Sequence, residues 1–167
     1  MSDVKKSYPA SADLTFTSLA SLATSSDFTA GAEATAYDNT SNLYLDVKLA
    51  GKIKVGTTPT ANTQINVYVF AEQKDGSWPD VMDGTDSAET WTNAQMLAAG
   101  AKLAATIDVV ATTSDLAYPF ECGSVAALFG GVLPRKFGVF VAHNTGVNLN
   151  ATQTAPVSVM PSYETVT

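Results

Sequence analysis

VAALFGGVLPRKFGVFVAHNTGVNL, residues 125–149, is the stretch whose reading decides the fold. It holds two apolar runs, Val125–Leu133 and Phe137–Ala142, separated by Pro134-Arg135-Lys136. Both are rich in Val, Leu and Phe, and both are short for a core helix. Glycines 123, 130, 131, 138 and 146 punctuate the region, and each would weaken a helix by about 1 kcal/mol relative to Ala. Short apolar runs bounded by Gly and Pro read as buried strands. His143-Asn144-Thr145-Gly146 then reverses the chain, since Asn and Gly accept the positive φ of tight turns. These two strands are expected at the centre of a β-sandwich.

Working outward, Leu43–Val55 alternates, with Leu43, Leu45, Val47 and Leu49 on one face and Tyr44, Asp46 and Lys48 on the other. A period of two marks a half-buried strand. Gly51 is expected to bend it, and Ile53 and Val55 resume the apolar face. Ile65, Val67 and Val69 alternate with Asn66, Tyr68 and Phe70 in a second long strand that ends at the turn Lys74-Asp75-Gly76. Ser77–Thr92 has no periodicity. A short helix follows, with Thr92 and Gln95 as a capping box and Gly100 as its stop. Strands resume at Leu103–Val110, Ala117–Glu121, Val147–Asn150 and Pro156–Tyr163. About eight short strands, one helix and long loops predict an all-β chain: an antiparallel β-sandwich of jelly-roll type. Residues 1–29, rich in Ser, Ala and Thr, read as an extended N-terminal arm with an edge strand at Asp13–Thr17, and 30–167 as one sandwich domain. The arm is either a free tail or a segment that orders against a neighbouring subunit, with Leu14 and Phe16 as its candidate contacts.

The chain has 167 residues and a formal net charge of −7, and only 15% of its residues are charged. Ser and Thr supply the missing polarity, which suits strands. Nine scattered basic residues argue against nucleic acid, which demands clustered Lys and Arg. Cys122 is the lone cysteine, so no disulfide framework exists, as expected of a chain folded in a reducing cytoplasm. The first residues lack the apolar core of a signal peptide. No run approaches the ~20 apolar residues that span a bilayer, so no membrane partner is expected.

The candidate oxygen ligands for a cation are Asp80, Asp83, Asp86 and Glu89, on one Gly-containing loop. Their spacing is not that of an EF-hand, and the same acids suit turns and caps, so no metal and no cofactor is assigned. His143 is the single histidine, and neither Cys122 nor Ser124 lies in a nucleophile elbow, so no triad is assigned. No pair of carboxylates stands out for glycosidase chemistry. The chain is therefore read as non-enzymatic, with no catalytic residue. Trp78 and Trp91 flank the acidic loop, where aromatics can anchor a protein contact or stack on sugars, or serve the core.

Three segments carry a resemblance: ALFGGVLPRKFGVFVAHNTGVNLN (127–150), AYDNTSNLYLD (36–46) and WPDVMDGTDSAET (78–90). From about Ser18 to the C-terminus the chain resembles a family of tailed-bacteriophage virion proteins. Its shared motifs are turn and core residues, so the resemblance implies a place in a virion more than a chemistry. The expectation that follows is a capsid decoration or cement protein bound at junctions between major capsid protein subunits, as a homo-oligomer (trimer or dimer). The alternative is a head-fibre or tail module that recognises a receptor or glycan through Trp78, Trp91 and the 77–92 loop.

Overall fold

The computed structural model describes residues 3–74 and 76–166. Its strands are β1 (Val4–Ser7), β2 (Ala12–Asp13), β3 (Ala30–Glu33), β4 (Tyr37–Asp38), β5 (Asp46–Lys54), β6 (Thr63–Ala71), β7 (Ser87–Thr90), β8 (Ala101–Val109), β9 (Ala117–Cys122), β10 (Lys136–His143) and β11 (Ser158–Val166). Two short helices, α1 (Ala94–Gly100) and α2 (Val125–Leu128), and a 3-10 turn at Thr17–Leu19 complete it. Every strand pair is antiparallel.

The pairings are nested. β1 pairs with β11, β3 with β10, β5 with β9 and β6 with β8, as if one long hairpin had been rolled up. Two further pairings, β11 with β5 and β10 with β6, close the roll into sheets of order β1-β11-β5-β9 and β7-β3-β10-β6-β8. β2 adds to β11, and β4 to β10. This is a jelly roll. Its core lies between the sheets, where Val47, Leu49 and Ile53 of β5 and Val159 of β11 meet Ile65, Val67 and Val69 of β6 and Val139 and Val141 of β10. Prolines fall where no ladder bond is lost. Pro119 is on edge strand β9, and Pro161 lies in the gap between the stretches of β11 that pair with β1 and β2.

The sheets differ on their outer faces. The face of β6 and β10 turned away from the core carries Phe70 and Phe140, both fully buried. They are covered by the long crossing from β6 to β8, which supplies Met82, Trp91 and Leu97, with Trp78 packed at the margin. Among the described residues no such roof lies over β5 and β11, whose outward positions include Lys48, Lys52, Met160 and Glu164.

Several expectations are corrected. Val125–Leu133 is not a strand. Ser124 caps a helical turn by accepting from Ala127 N at 3.0 Å, Asp46 accepts from Ala126 N at 2.9 Å, and Gly130 and Gly131 leave it at positive φ. The N-terminal arm is built into its own domain rather than extending from it. β1 and β2 join the β11 ladder, Leu14 N donates to Val157 O at 3.0 Å, and Phe16, Leu19 and Leu22 are buried in the main core. The N-cap of α1 is Asn93, which accepts from Met96 N, in place of Thr92. Part of the aperiodic stretch 77–92 is strand β7. Leu43 and Leu45 are exposed because β5 starts only at Asp46. Before it, the Asn39 side chain holds both backbone groups of Tyr44 in a turn. Val147–Asn150 forms a single bridge, Leu149 to Val55, and no strand. The expected turn Lys74-Asp75-Gly76 includes Asp75, which lies outside the described residues; Lys74 and Ser77 bridge across it.

β5 keeps its register through Gly51, and the glycine admits a close approach. A Cβ there would overlap the Pro156 carbonyl oxygen and crowd the Phe120 ring. Gly51→Ala is therefore expected to lower the unfolding free energy by about 1–3 kcal/mol, the usual range for overpacking, as read from urea denaturation.

Candidate functional site

The two tryptophans and four acids singled out in the sequence all lie on the crossing between β6 and β8, where most serve structure. Trp91 is 1% exposed and stands edge-on to Phe70 and Phe140, with centroids 6.4 and 6.2 Å away and ring planes near perpendicular. Its backbone N–H donates to Thr29 O at 3.0 Å, which fixes the end of β7 beside β3. Trp78 is half-buried and meets Phe70 edge-on at 5.6 Å. Edge-to-face aromatic pairs add about 0.5–1.5 kcal/mol beyond the area they bury. Trp91 is thus a core residue of the roof, and its ring presents no face to a ligand. Gly138 makes the arrangement possible, because the Phe70 ring lies across its bare Cα.

The four loop acids diverge. Asp80 accepts from Thr92 N and Thr92 Oγ1, each at 2.7 Å, and Asp83 from Thr85 N and Oγ1 at 2.8 and 2.6 Å. Asp86 reaches the other way, accepting from Thr17 N, Thr17 Oγ1 and Ser18 N at 2.5–2.9 Å. Glu89 accepts from Ser87 Oγ at 3.0 Å. Among the described residues no three His, Cys, Asp or Glu side chains are grouped as a cation would require. The acids do turn-closing and capping work, using the same carboxylate oxygens a cation would need. Burial pushes the Asp86 pKa up, but the bonds from Ser18 and Thr17 outweigh it and hold it below the usual carboxylate range.

Two buried titratable groups were not assigned a role from sequence. Glu33, at the end of β3, is fully buried beneath the crossing. It accepts from Gly84 N at 2.6 Å and Asp83 N at 3.4 Å. Burial pushes its pKa up to about 7, and the two N–H groups only partly offset this. A single charged residue in the small apolar run Ala30-Gly31-Ala32-Glu33-Ala34 was its sequence signal. His143 is likewise fully buried, at the end of β10 and not in an exposed turn. Its Nε2 lies 3.1 Å from Leu22 O, which can only accept, so Nε2 carries the proton of the neutral ring. Nδ1 faces Thr145 Oγ1 at 3.0 Å. Ser25 N donates to the His143 carbonyl at 2.7 Å. The ring therefore ties the N-terminal segment to the centre of the second sheet. Cys122, on β9 of the other sheet, is buried, and its Sγ lies 3.6 Å from Ser124 O.

The remaining candidates, Leu14 and Phe16, pack into the chain's own core, Phe16 at 5% exposure. The exposed apolar groups lie elsewhere. β11 runs past β5, and its last residues pair only with β1, forming a two-stranded ribbon with Val4 and Val166 paired and both more than 60% exposed. Leu43 and Leu45 stand beside the root of this ribbon, where Leu45 N donates to Ser162 O and Tyr44 packs on Tyr163. Comparison with family models, curated proteins and solved structures returned no match.

Two predictions follow from this geometry. Asp86→Ala strands two backbone donors of the Thr17–Leu19 turn and is expected to cost about 1–2 kcal/mol, the scale of a lost cap, measured by thermal or urea unfolding. For His143, burial lowers the pKa below 6.5, whereas the unfolded ring titrates at its ordinary value. The unfolded state thus binds more protons just below pH 6.5, and stability is lost as the pH falls through that value. Relative to His143→Gln, the wild type should lose melting temperature between pH 7 and pH 5, and parallel curves would contradict this.

Proposed function

We propose that the chain is a structural, non-enzymatic virion protein that decorates or cements a tailed-phage capsid at junctions between capsid subunits. The observation that carries the reading is the terminal ribbon. β1 lies at the edge of its sheet, so one side of Val4–Ser7 offers main-chain N–H and C=O groups to a neighbouring chain. Added strands of this kind gain affinity from main-chain bonds and specificity from alternate side chains.

The edge also selects its partner. Two copies of β1 laid antiparallel, Val4 against Ser7, would set Lys5 directly against Lys6 of the other copy. Like charges directly opposite are destabilising. An acidic or neutral strand of a different protein suits the edge better, and the major capsid protein is the partner proposed. Leu43 (71% exposed), Leu45 (55%), Val4 (63%) and Val166 (72%) supply apolar surface at the same end. Fully burying one such side chain is worth about 1.5–3 kcal/mol, so a few of them suffice to hold a subunit on a lattice that multiplies the contact. Homo-oligomerisation, as a dimer or trimer, belongs to the same proposal.

Quantitative mass spectrometry of purified particles tests it. Copies comparable to the major capsid protein are expected, and absence from the particle would overturn the proposal. Leu43→Asp combined with Leu45→Asp should leave the melting temperature within a degree or two, because both side chains are exposed. Rebinding to stripped capsids should nevertheless fall at least tenfold.

A further inference from the structure

We propose that the open face of the sheet β1-β11-β5-β9 is a docking groove for an extended, acidic segment of a partner protein, with Lys6, Lys48 and Lys52 as its charged contacts. The groove needs only the segment and not a capsid, so it stands or falls separately from the virion reading.

The groove begins at a break in a ladder. β11 pairs with β2 at Ser158 and Val159, and with β1 from Tyr163 to Val166. Between those stretches Met160, Pro161 and Ser162 have no strand neighbour on that side, and the connection Tyr8-Pro9-Ala10-Ser11 passes them instead. Pro9 and Pro161 suit the break, since neither can donate to a ladder. The result is a hollow of about 480 Å³ whose walls include Lys6, Tyr8, Pro9, Lys48 and Met160. A second hollow of about 540 Å³ continues from Ser11 and Met160 to Ala50, Lys52, Pro119 and Phe120. Small and apolar side chains thus make up much of the lining, and the lysines stand along it.

The spacing of the lysines selects the occupant. Lys48 is the register partner of Met160, and Lys6 is that of Glu164, four residues further along β11. Lys52 lies four residues from Lys48 in the opposite direction along β5. The three side chains therefore mark levels about 13 Å apart, four times the rise of a strand. An extended segment lying along the strands has the same rise, so acidic side chains at every fourth residue meet all three. A nucleic acid strand carries a charge about every 3.4 Å and asks for a denser basic cluster than this one. Between the acids, small and apolar residues of the segment fit the lining, where the Met160 thioether adapts its shape.

The acids of the same face leave the lysines available. Asp46 lines the first hollow, but its Oδ1 already accepts from Val47 N and Ala126 N. Glu121 holds Lys48 at 2.7 Å with both side chains partly exposed, and Glu164 lies opposite Lys6. Exposed pairs of this kind contribute little, so a docking carboxylate can replace either acid. Lys52 has no ion-pair partner among the described residues. With a formal net charge of −7 on the whole chain, an acidic segment is repelled elsewhere and steered to this face.

Titration with a labelled synthetic peptide of about nine residues, rich in Val and Thr and carrying Glu at every fourth position, tests the groove. Saturable binding is expected, weakening with added salt and shifting the methyl NMR signals of Ala50 and Met160. Lys6→Gln, Lys48→Gln and Lys52→Gln combined should weaken binding at least about tenfold. The melting temperature of that variant should stay within about two degrees of wild type, because all three side chains reach the surface. Lys102→Gln, on β8 of the other sheet, also removes a positive charge and should leave binding unchanged. Absence of saturable binding, equal binding of the peptide with Gln in place of Glu, or an equal loss in Lys102→Gln overturns the groove. So does tighter binding of single-stranded DNA or of phosphatidylserine vesicles at the same three lysines.

Discussion

The structure depends on one constraint: β10 is buried on both faces. Phe137, Val139 and Val141 point into the sandwich, and Gly138, Phe140 and Ala142 point away from it, yet all are inaccessible. A sandwich of two sheets covers only the inner set. The outer set needs a third layer, and the chain supplies it between β6 and β8, the innermost pair of the nested roll. The crossing can be long there because it leaves the rest of the nesting undisturbed, and it carries the tryptophans because a roof one segment thick needs large side chains. The acids of the same segment then bind it down. Asp80 ties it to the start of α1, Asp86 to the Thr17–Leu19 turn, and Glu33 receives its backbone from below.

That arrangement explains what was legible in the sequence and what was not. The strand Ile65–Phe70 was legible because its two faces differ, one aliphatic and one mixed. The jelly roll was legible as a class from strand number and turn chemistry. Val125–Leu133 was misread because a short apolar run fits a buried helical turn as well as a strand. The deciding features were a Ser cap and a contact from Asp46, eighty residues away. β7 could not be seen: Ser87-Ala88-Glu89-Thr90 owes its extended form to pairing with β3, not to its own propensity. Trp91, with polar sequence neighbours, could be read as a core residue or as a displayed aromatic, and the sheet beneath it shows that it belongs to the core. The four acids were located correctly as a cluster in sequence, but a cluster in sequence along a loop is not a cluster in space.

The N-terminal segment shows the same dependence on distant residues. Its composition, Ser, Ala and Thr with few apolar groups, is that of a segment with little core of its own. It is ordered because Phe16, Leu19 and Leu22 find a place in the main core and because β10 and β11 offer it main-chain partners, His143 among them. An imidazole at the end of β10 and a carboxyl group at the end of β3 are thus both buried where the six-stranded sheet meets its covering segments.

The two outer faces differ in coverage and in charge. The six-stranded sheet is covered by its own chain around Phe70 and Phe140. Among the described residues nothing roofs the other sheet, and its strands β1, β2, β5, β9 and β11 carry five of the nine basic residues against four acids. The net charge of −7 therefore resides wholly outside this sheet. Two adjoining hollows of about 480 and 540 Å³ cross its face, meeting at Ser11 and Met160, and the ribbon of β1 and β11 projects from its end. A nearly neutral, lysine-bearing sheet on an otherwise acidic protein is the side that an acidic surface can approach without repulsion. The roofed sheet, with Asp80, Asp83, Asp86 and Glu89 around it, would then be left to face solvent. Charge and coverage thus single out the same face, although they arise from different parts of the sequence.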